Sequence, residues 1–187
     1  MTVRTTADGS PLPPATDRSR GEEIDSVSPL EFRTALSNLT TAVSIIATNG
    51  TAGLAGMTCS AVCGVSDTPA TMVACVNRRS AAHDIIKGNG VLCINSLPAA
   101  QKEFSQIFAG VGQVPMAERF AGSRWSTLAT GAPYLKDALI AFDCELMDAR
   151  DVGTHSVFIA RVLATAQPAS TEPLVYHRQH YATTRAL

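Results

Sequence analysis

GLAGMTCSAVCGVSDTPATMVACVNRR, residues 53 to 79, is the stretch whose reading decides the fold. It reads as two strands and a short connection. The first strand, 53–66, is rich in small and hydroxyl residues: Gly56, Thr58, Ser60, Ala61, Gly64 and Ser66. Asp67, Thr68 and Pro69 form the connection. TMVACV, 71–76, is a short apolar run ending in Asn77, Arg78, Arg79 and Ser80. A strand meant only to fill a core carries more Val, Ile and Phe. One built of Gly, Thr, Ser and Ala keeps its surface low and presents hydroxyls and amides, which suits a flat polar ligand lying against it. It also suits close packing beneath another element, and the stretch taken alone favours that packing reading.

Upstream, TAVSIIAT at 41–48 is a β-branched strand halted by Asn49-Gly50, a strong hairpin signal. Before it, Ser28-Pro29-Leu30-Glu31 opens a helix. Ser28 is a cap, Pro29 suits the first position and Glu31 completes a capping box. Residues 1–27 are rich in Pro, Ser, Thr, Asp and Arg without periodicity, so a flexible tail is expected there, followed by one domain over 28–187.

Downstream, a helix starts at Ser80, directly after the basic pair. A helix N-terminus offers unpaired amides and partial positive charge, so this point reads either as a phosphate seat or as a surface turn with solvated arginines. Strand 91–97, a helix over 99–109 ending at Gly110, two long strands at 138–150 and 155–167 joined through 151–154, and a short strand at 174–181 complete the chain. Six or seven strands, mostly joined by hairpins, predict a mainly β protein, an antiparallel barrel with inserted helices. The chain carries no G-x-G-x-x-G, no phosphate-loop motif and no βαβ rhythm, which argues against a Rossmann domain.

Composition narrows the function classes. With 187 residues, 45% apolar and 17% charged, the chain suits one soluble domain with its own core. A formal net charge of -1 gives no pull toward nucleic acid or a membrane surface, and no apolar run approaches the roughly 20 residues that span a bilayer. The five cysteines lack C-x-x-C spacing and sit in apolar runs, so they read as reduced core thiols of a cytoplasmic protein. The four histidines form no zinc-type cluster with them, so no metal is expected.

Several phrases then stand in one order: FRTALSNLTTAVSIIAT, GMTCSAVCGVSDTPATMVACVNRRSAAHDII, GNGVLCINSL, FAG at 108–110, ERF at 118–120, VGTHSVFIARV and PLVYHRQHY. Together they resemble the short-chain flavin reductases, in particular the reductase components of two-component flavin-dependent monooxygenases such as 4-hydroxyphenylacetate hydroxylase. The resemblance spans about 29–181. It implies an FMN-binding split barrel, a six- to seven-stranded antiparallel Greek-key barrel with flanking helices, working as a homodimer in the cytoplasm. It also implies an enzyme of the EC 1.5.1 type that passes a hydride from NADH or NADPH to FAD or FMN and releases reduced flavin to a separate monooxygenase. The expectation is FAD ahead of FMN, because many oxygenase-coupled reductases prefer it and an extra basic residue suits a second phosphate. NADH is expected ahead of NADPH. The alternatives are a flavin-binding redox or storage protein without turnover and a split-barrel oxidase with tightly held FMN.

The resemblance also implies the site. Met57, Thr58, Cys59, Ser60, Ala61 and Val62 line the flavin ring and ribityl chain, and Ser66 and Asp67 hold the turn near the phosphate end. Asn77 bonds the ribityl chain or ring edge, while Arg78 and Ser80 hold phosphate. Phe108, Ala109 and Gly110 approach the distal side. His155, in Gly153-Thr154-His155, lies by the nicotinamide and orients it or stabilises charge developing on the reduced flavin. The family's commoner middle residue there is Asp; without that carboxylate beside it, the ring has less to hold a proton. Tyr176 and Arg178 line the pyridine-nucleotide side, one by stacking and the other at a phosphate.

Overall fold

The structure, a computed structural model, describes residues 26–167 and 172–185. The chain divides into two units, residues 1–34 and 35–187. In the first, the capping box forms as the sequence predicts. The Ser28 amide donates to Glu31 Oε2 at 2.9 Å and the Glu31 amide to Ser28 Oγ at 3.2 Å, at the head of helix α1 (Pro29–Leu36). The tail expected over 1–27 lies almost wholly outside the described residues.

The second unit begins with strands β1 (Thr41–Ala42), β2 (Ser44–Thr48), β3 (Ala55–Cys59), β4 (Val62–Asp67) and β5 (Ala70–Asn77). Helix α2 (Ala81–Asn89), strand β6 (Val91–Ser96) and helices α3 (Lys102–Phe108) and α4 (Met116–Arg119) follow. The chain then forms β7 (Trp125–Thr127), β8 (Pro133–Leu135), the long pair β9 (Ile140–Val152) and β10 (His155–Ala166), and β11 (Val175–His177) with β12 (His180–Ala182). Seven strands make one antiparallel sheet in the order β3-β2-β6-β9-β10-β5-β4. Its two edges, β3 and β4, are consecutive in the chain with only Ser60 and Ala61 between them. The Cα atoms of Cys59 and Val62 therefore lie at most ~11 Å apart, whereas the edges of a flat sheet of this size stand ~29 Å apart. The sheet has to roll until its edges meet. Cys75 stitches the seam, its amide donating to Ala61 O at 2.9 Å and its carbonyl accepting the Cys59 thiol at 3.6 Å.

Strand β2 is covered on both faces, and all five of its residues are buried. Ile46 joins one core with Val76, Ile86, Leu92, Ile94 and Phe158. Ile45 joins a second with Val43, Leu97, Phe108 and Leu135. Helix α3 lies so close to β3 that a Cβ on Gly56 would stand 2.7 Å from the Phe108 ring and 2.8 Å from Phe120, so the strand needs a glycine there.

Three features depart from the sequence reading. The stretch 53–66 is two strands, because it turns the seam at Ser60-Ala61 and changes partner from β2 to β5. The last strand is a hairpin, β11–β12, turned by Arg178 and Gln179 with φ of 47° and 64°, a left-handed pair that neither residue advertises. Strands β7 and β8 had no periodic signal; they are held by buried polar groups. Asn95 accepts from the Leu135 amide at 2.7 Å and donates to Pro133 O at 3.4 Å, and Asp143 accepts from the Thr130 amide at 2.7 Å.

Candidate functional site

Two turns distant in sequence meet at one end of the barrel. The β5–α2 turn carries Asn77 to Ser80; the β9–β10 turn carries Gly153 and Thr154. Strand pairing sets His155 opposite Asn77, and the Arg78 amide donates to Thr154 O at 3.0 Å. The VNRRS and GTH phrases thus form a single local structure. Gly153 turns the corner with φ 57°, and Thr154 Oγ1 lies 2.9 Å from His155 Nδ1.

The amides of the β5–α2 turn are already occupied. Asn77 Oδ1 accepts from Arg79 N at 2.9 Å, Asn77 O from Ser80 N at 2.9 Å, Ser80 Oγ from Ala82 N at 3.3 Å and Ser80 O from His83 N at 3.0 Å. Asn77 and Ser80 therefore build the turn, and Ser80 caps α2 as expected. Ser80 also donates to the Met57 sulfur at 3.3 Å, tying the turn to β3. What remains to attract an anion is side-chain charge. A cleft of ≈ 390 Å³ is lined by Arg78, Arg79, His83, Lys87, Asp84, Asp151, Gly153 and Thr154. Arg78 pairs with Asp151 at 3.4 Å with both side chains about half exposed, a geometry worth little in stability.

A second cleft, ≈ 220 Å³, opens beside the seam. Val43, Thr58, Ser60, Ala109, Tyr176 and Tyr181 line it. Thr58 donates to Ser105 O at 2.6 Å, which spends its hydroxyl on α3. Ser60 and Ala61 are exposed. Tyr176 and Tyr181 meet edge to face at 5.2 Å, and Tyr181 Oη lies 3.0 Å from Ser105 Oγ. Small side chains, one exposed hydroxyl and a tyrosine pair suit a flat, partly polar ring, and the cationic cleft suits a phosphate.

The remaining expected residues fall elsewhere. Burial pushes the Cys59 thiol up to about 11 and keeps it neutral. Cys63 is exposed and Cys75 intermediate, so not every cysteine is a core thiol. Val62 packs against the first core. Ser66 accepts from the Thr68 amide at 3.1 Å, and with Asp67 it ends β4 at an exposed hairpin. Phe108 is buried among Phe104, Phe120 and Trp125, so its ring serves the core while its neighbour Ala109 reaches the cleft. Gly110 ends α3 with φ 99°. Arg178 was expected at a phosphate; its Nε instead donates to Asn38 Oδ1 at 2.9 Å and its amide to Ser37 O at 2.8 Å. The sequence reading missed Val43, Tyr181, His83, Asp84, Lys87 and Asp151 as cleft residues. Of these, Lys87 carried a signal, since it lies two helical turns from Ser80 on the same side as His83.

A rolled antiparallel barrel with a small-residue seam, a tyrosine-lined cleft beside it and a cationic cleft at the β5–α2 turn suits a flat ligand that carries an anion. A family model described as "Flavin reductase like domain" matches residues 36–185, and the chain belongs to that family. It is 47% identical over 157 residues to "FMN reductase (NADH) RutF 2" of Methylorubrum extorquens, covering 84% of this chain and 90% of that protein. It is 44% identical over 151 residues to "FMN reductase (NADH) RutF" of Stutzerimonas stutzeri, covering 81% and 86%. Among solved structures it is similar to BorF, the flavin reductase component of a bacterial two-component tryptophan halogenase. The two share 27% identity and a TM-score of 0.78, with 86% of this chain and 100% of that chain covered. The styrene monooxygenase flavin reductase of Pseudomonas putida gives 25% identity and a TM-score of 0.73, covering 83% and 99%. The fold is the split barrel of flavin reductases, as the sequence led us to expect.

Proposed function

We propose that this protein is a flavin reductase that takes a hydride from NADH, with FMN as its preferred flavin, and gives reduced flavin up to a separate monooxygenase. The observation that carries the reading is the meeting of the Asn77–Ser80 and Gly153–His155 turns at the Arg78–Thr154 hydrogen bond. It joins a cationic cleft to the histidine in one local structure. FMN replaces the FAD expected from the resemblance because the relatives at 44–47% identity are named for FMN and NADH.

The flavin supplies the redox chemistry when bound, accepting the hydride at its ring. The residues of this chain bind and orient. Ser60 and Ala61 leave room for the ring, and Arg78, Arg79 and Lys87 hold the phosphate by charge. Tyr176 offers a face for stacking, and His155 positions the nicotinamide so that the reacting atoms stay in line. Ser60 and Tyr176 are surface residues, which favours a flavin that exchanges over one held as a fixed group.

Exposed Val65, Met147, Val152 and Leu163 on β4, β9 and β10 support a homodimer, measurable as twice the chain mass in sedimentation. The five free cysteines support a cytoplasmic setting, and among the described residues no helix is long and apolar enough to cross a membrane.

A steady-state matrix of FMN and FAD against NADH and NADPH tests the activity. NADH with FMN should turn over fastest. No NADH oxidation with either flavin overturns the reading in favour of a flavin-binding protein. A yellow protein that keeps its FMN through gel filtration removes the release step.

A further inference from the structure

Beneath the cationic cleft runs a chain of polar side chains with a buried middle: Asp84, His83, Ser156 and Asp151. His83 is 4% exposed and Ser156 fully buried. The His83 ring lies against Phe158 with centroids 5.4 Å apart. His83 Nδ1 is 2.7 Å from Asp84 Oδ1, His83 Nε2 is 2.8 Å from Ser156 Oγ, and Ser156 Oγ is 2.6 Å from Asp151 Oδ1. Asp151 Oδ2 in turn faces Arg78 at 3.4 Å.

Proton positions follow from counting. Each of the three short contacts needs one proton between its heavy atoms. The serine hydroxyl has a single proton, and at 2.6 Å from a carboxylate oxygen it is spent on Asp151. Ser156 Oγ must then accept from His83 Nε2. Asp84 is a carboxylate with its side chain 93% exposed and can only accept, so His83 Nδ1 must also donate. Asp151 does not carry an extra proton, because the Ser156 hydroxyl and then the charges of Arg78 and Lys87 hold its carboxyl below the usual range. The imidazole supplies two of the three protons and is therefore a cation, although buried.

We propose that His83 is a charged positioning residue: its doubly protonated ring fixes the Ser156 hydroxyl on Asp151, holds Arg78 in place, and adds its own charge to the cleft, so that the cleft's grip on a phosphate follows the protonation of His83. The inference rests on the reading of this cleft as the phosphate end of the flavin site.

The charged groups around the ring are Asp84 and Lys87 on α2, Arg78 and Arg79 on the turn before it, and Asp151 on β9; β10 contributes only Ser156 and Phe158. Four cationic side chains against two carboxylates leave two net positive charges with His83 protonated and one without. Deprotonation at Nε2 also makes that nitrogen an acceptor. The Ser156 hydroxyl turns to it, and Asp151 loses its shortest hydrogen bond. A carboxylate stripped of that donor draws Arg78 closer to itself and away from a ligand. Lost charge and withdrawn arginine weaken anion binding in the same direction.

The test measures Kd for FMN and for riboflavin, which lacks the phosphate, across pH in the native protein, His83→Gln and Ser156→Ala. Long-range proton–nitrogen spectra of the histidine rings accompany it, with the His83 signals identified by their loss in H83Q. In the native protein both His83 nitrogens should be protonated at neutral pH. The preference for FMN over riboflavin should fall at least about threefold as the ring titrates, relative to H83Q at the same pH. That comparison cancels the ionisation of the phosphate itself. In H83Q the preference should be low throughout. In S156A the ring should titrate with a smaller change in preference. A ring with one protonated nitrogen at pH 7 overturns the proposal, and so does an FMN preference in H83Q equal to the native one at every pH, which would leave the phosphate reading intact. Equal native Kd values for FMN and riboflavin at all pH values overturn the phosphate reading itself, and the inference with it.

Discussion

His155 is the residue on which the proposed hydride step depends most. It starts β10, pairs with Asn77 and has its Nδ1 held by Thr154. Thr154 Oγ1 lies 2.9 Å from Nδ1, and a hydroxyl can serve that nitrogen in either direction. An imidazole held this way orients a partner through Nε2 without a fixed positive charge. His155→Ala should therefore cost about tenfold in kcat/KM for NADH, the value of one lost hydrogen bond in the transition state, and leave the Kd for flavin little changed. Stopped-flow reduction of the flavin by NADH measures it, and an unchanged kcat/KM removes His155 from the nicotinamide site. His83, which lines the same cleft as Thr154, was passed over in the sequence because nothing in SAAHDII distinguishes a buried polar histidine from a surface one. Its partners Ser156 and Asp151 come from a different part of the chain.

At the scale of elements, the contact of β3 with α3 decides whether the seam keeps its shape. A methyl group at position 56 meets the rings of Phe108 and Phe120, which are themselves packed on Phe104 and Trp125 and cannot swing away. Gly56→Ala should destabilise the barrel by about 1–3 kcal/mol, the usual cost of overpacking a closed core, against a gain of under about 1 kcal/mol from the stiffer unfolded chain. Urea denaturation followed by tryptophan fluorescence reads it out at Trp125, inside the cluster; a midpoint equal to the native one would show that α3 yields. The small-residue composition of 53–66 was legible, and it served both of the readings open in the sequence. Gly56 is the packing case, while Ser60 and Ala61 are the surface that a ligand can reach. What the sequence did not carry was the break between β3 and β4, since Ser60-Ala61 is not a turn signal. The change of strand partner comes from barrel closure, a property of all seven strands together. The left-handed Arg178-Gln179 turn was likewise invisible, because those residues adopt such φ values only when β11 and β12 impose them.

For the whole molecule, the placement of carboxylates sets how the barrel responds to acid. Asp148 is held below the ordinary carboxylate range first by Arg150, whose Nε donates to it at 2.7 Å, and then by the Ala149 amide. Asp151 is held low first by the Ser156 hydroxyl and then by Arg78, Lys87 and His83. A carboxyl whose folded value is depressed favours folding above its unfolded value, near 3.9 for Asp, and loses that contribution as pH falls through the lower, folded value. Both groups lie on β9, the strand between β6 and β10 at the centre of the sheet order, so their protonation acts on the whole barrel. The Tm should fall below about pH 4. The Asp151→Asn variant should fall less steeply, because it removes one of the two groups while keeping an acceptor for Ser156. Each contribution is small, since both side chains are solvent-screened. Calorimetry across pH 2.5–7 decides the matter. A native Tm that holds level down to pH 2.5, or an Asp151→Asn profile that parallels the native one, would mean that Asp151 stabilises nothing and that its place in the chain to His83 serves the cleft alone.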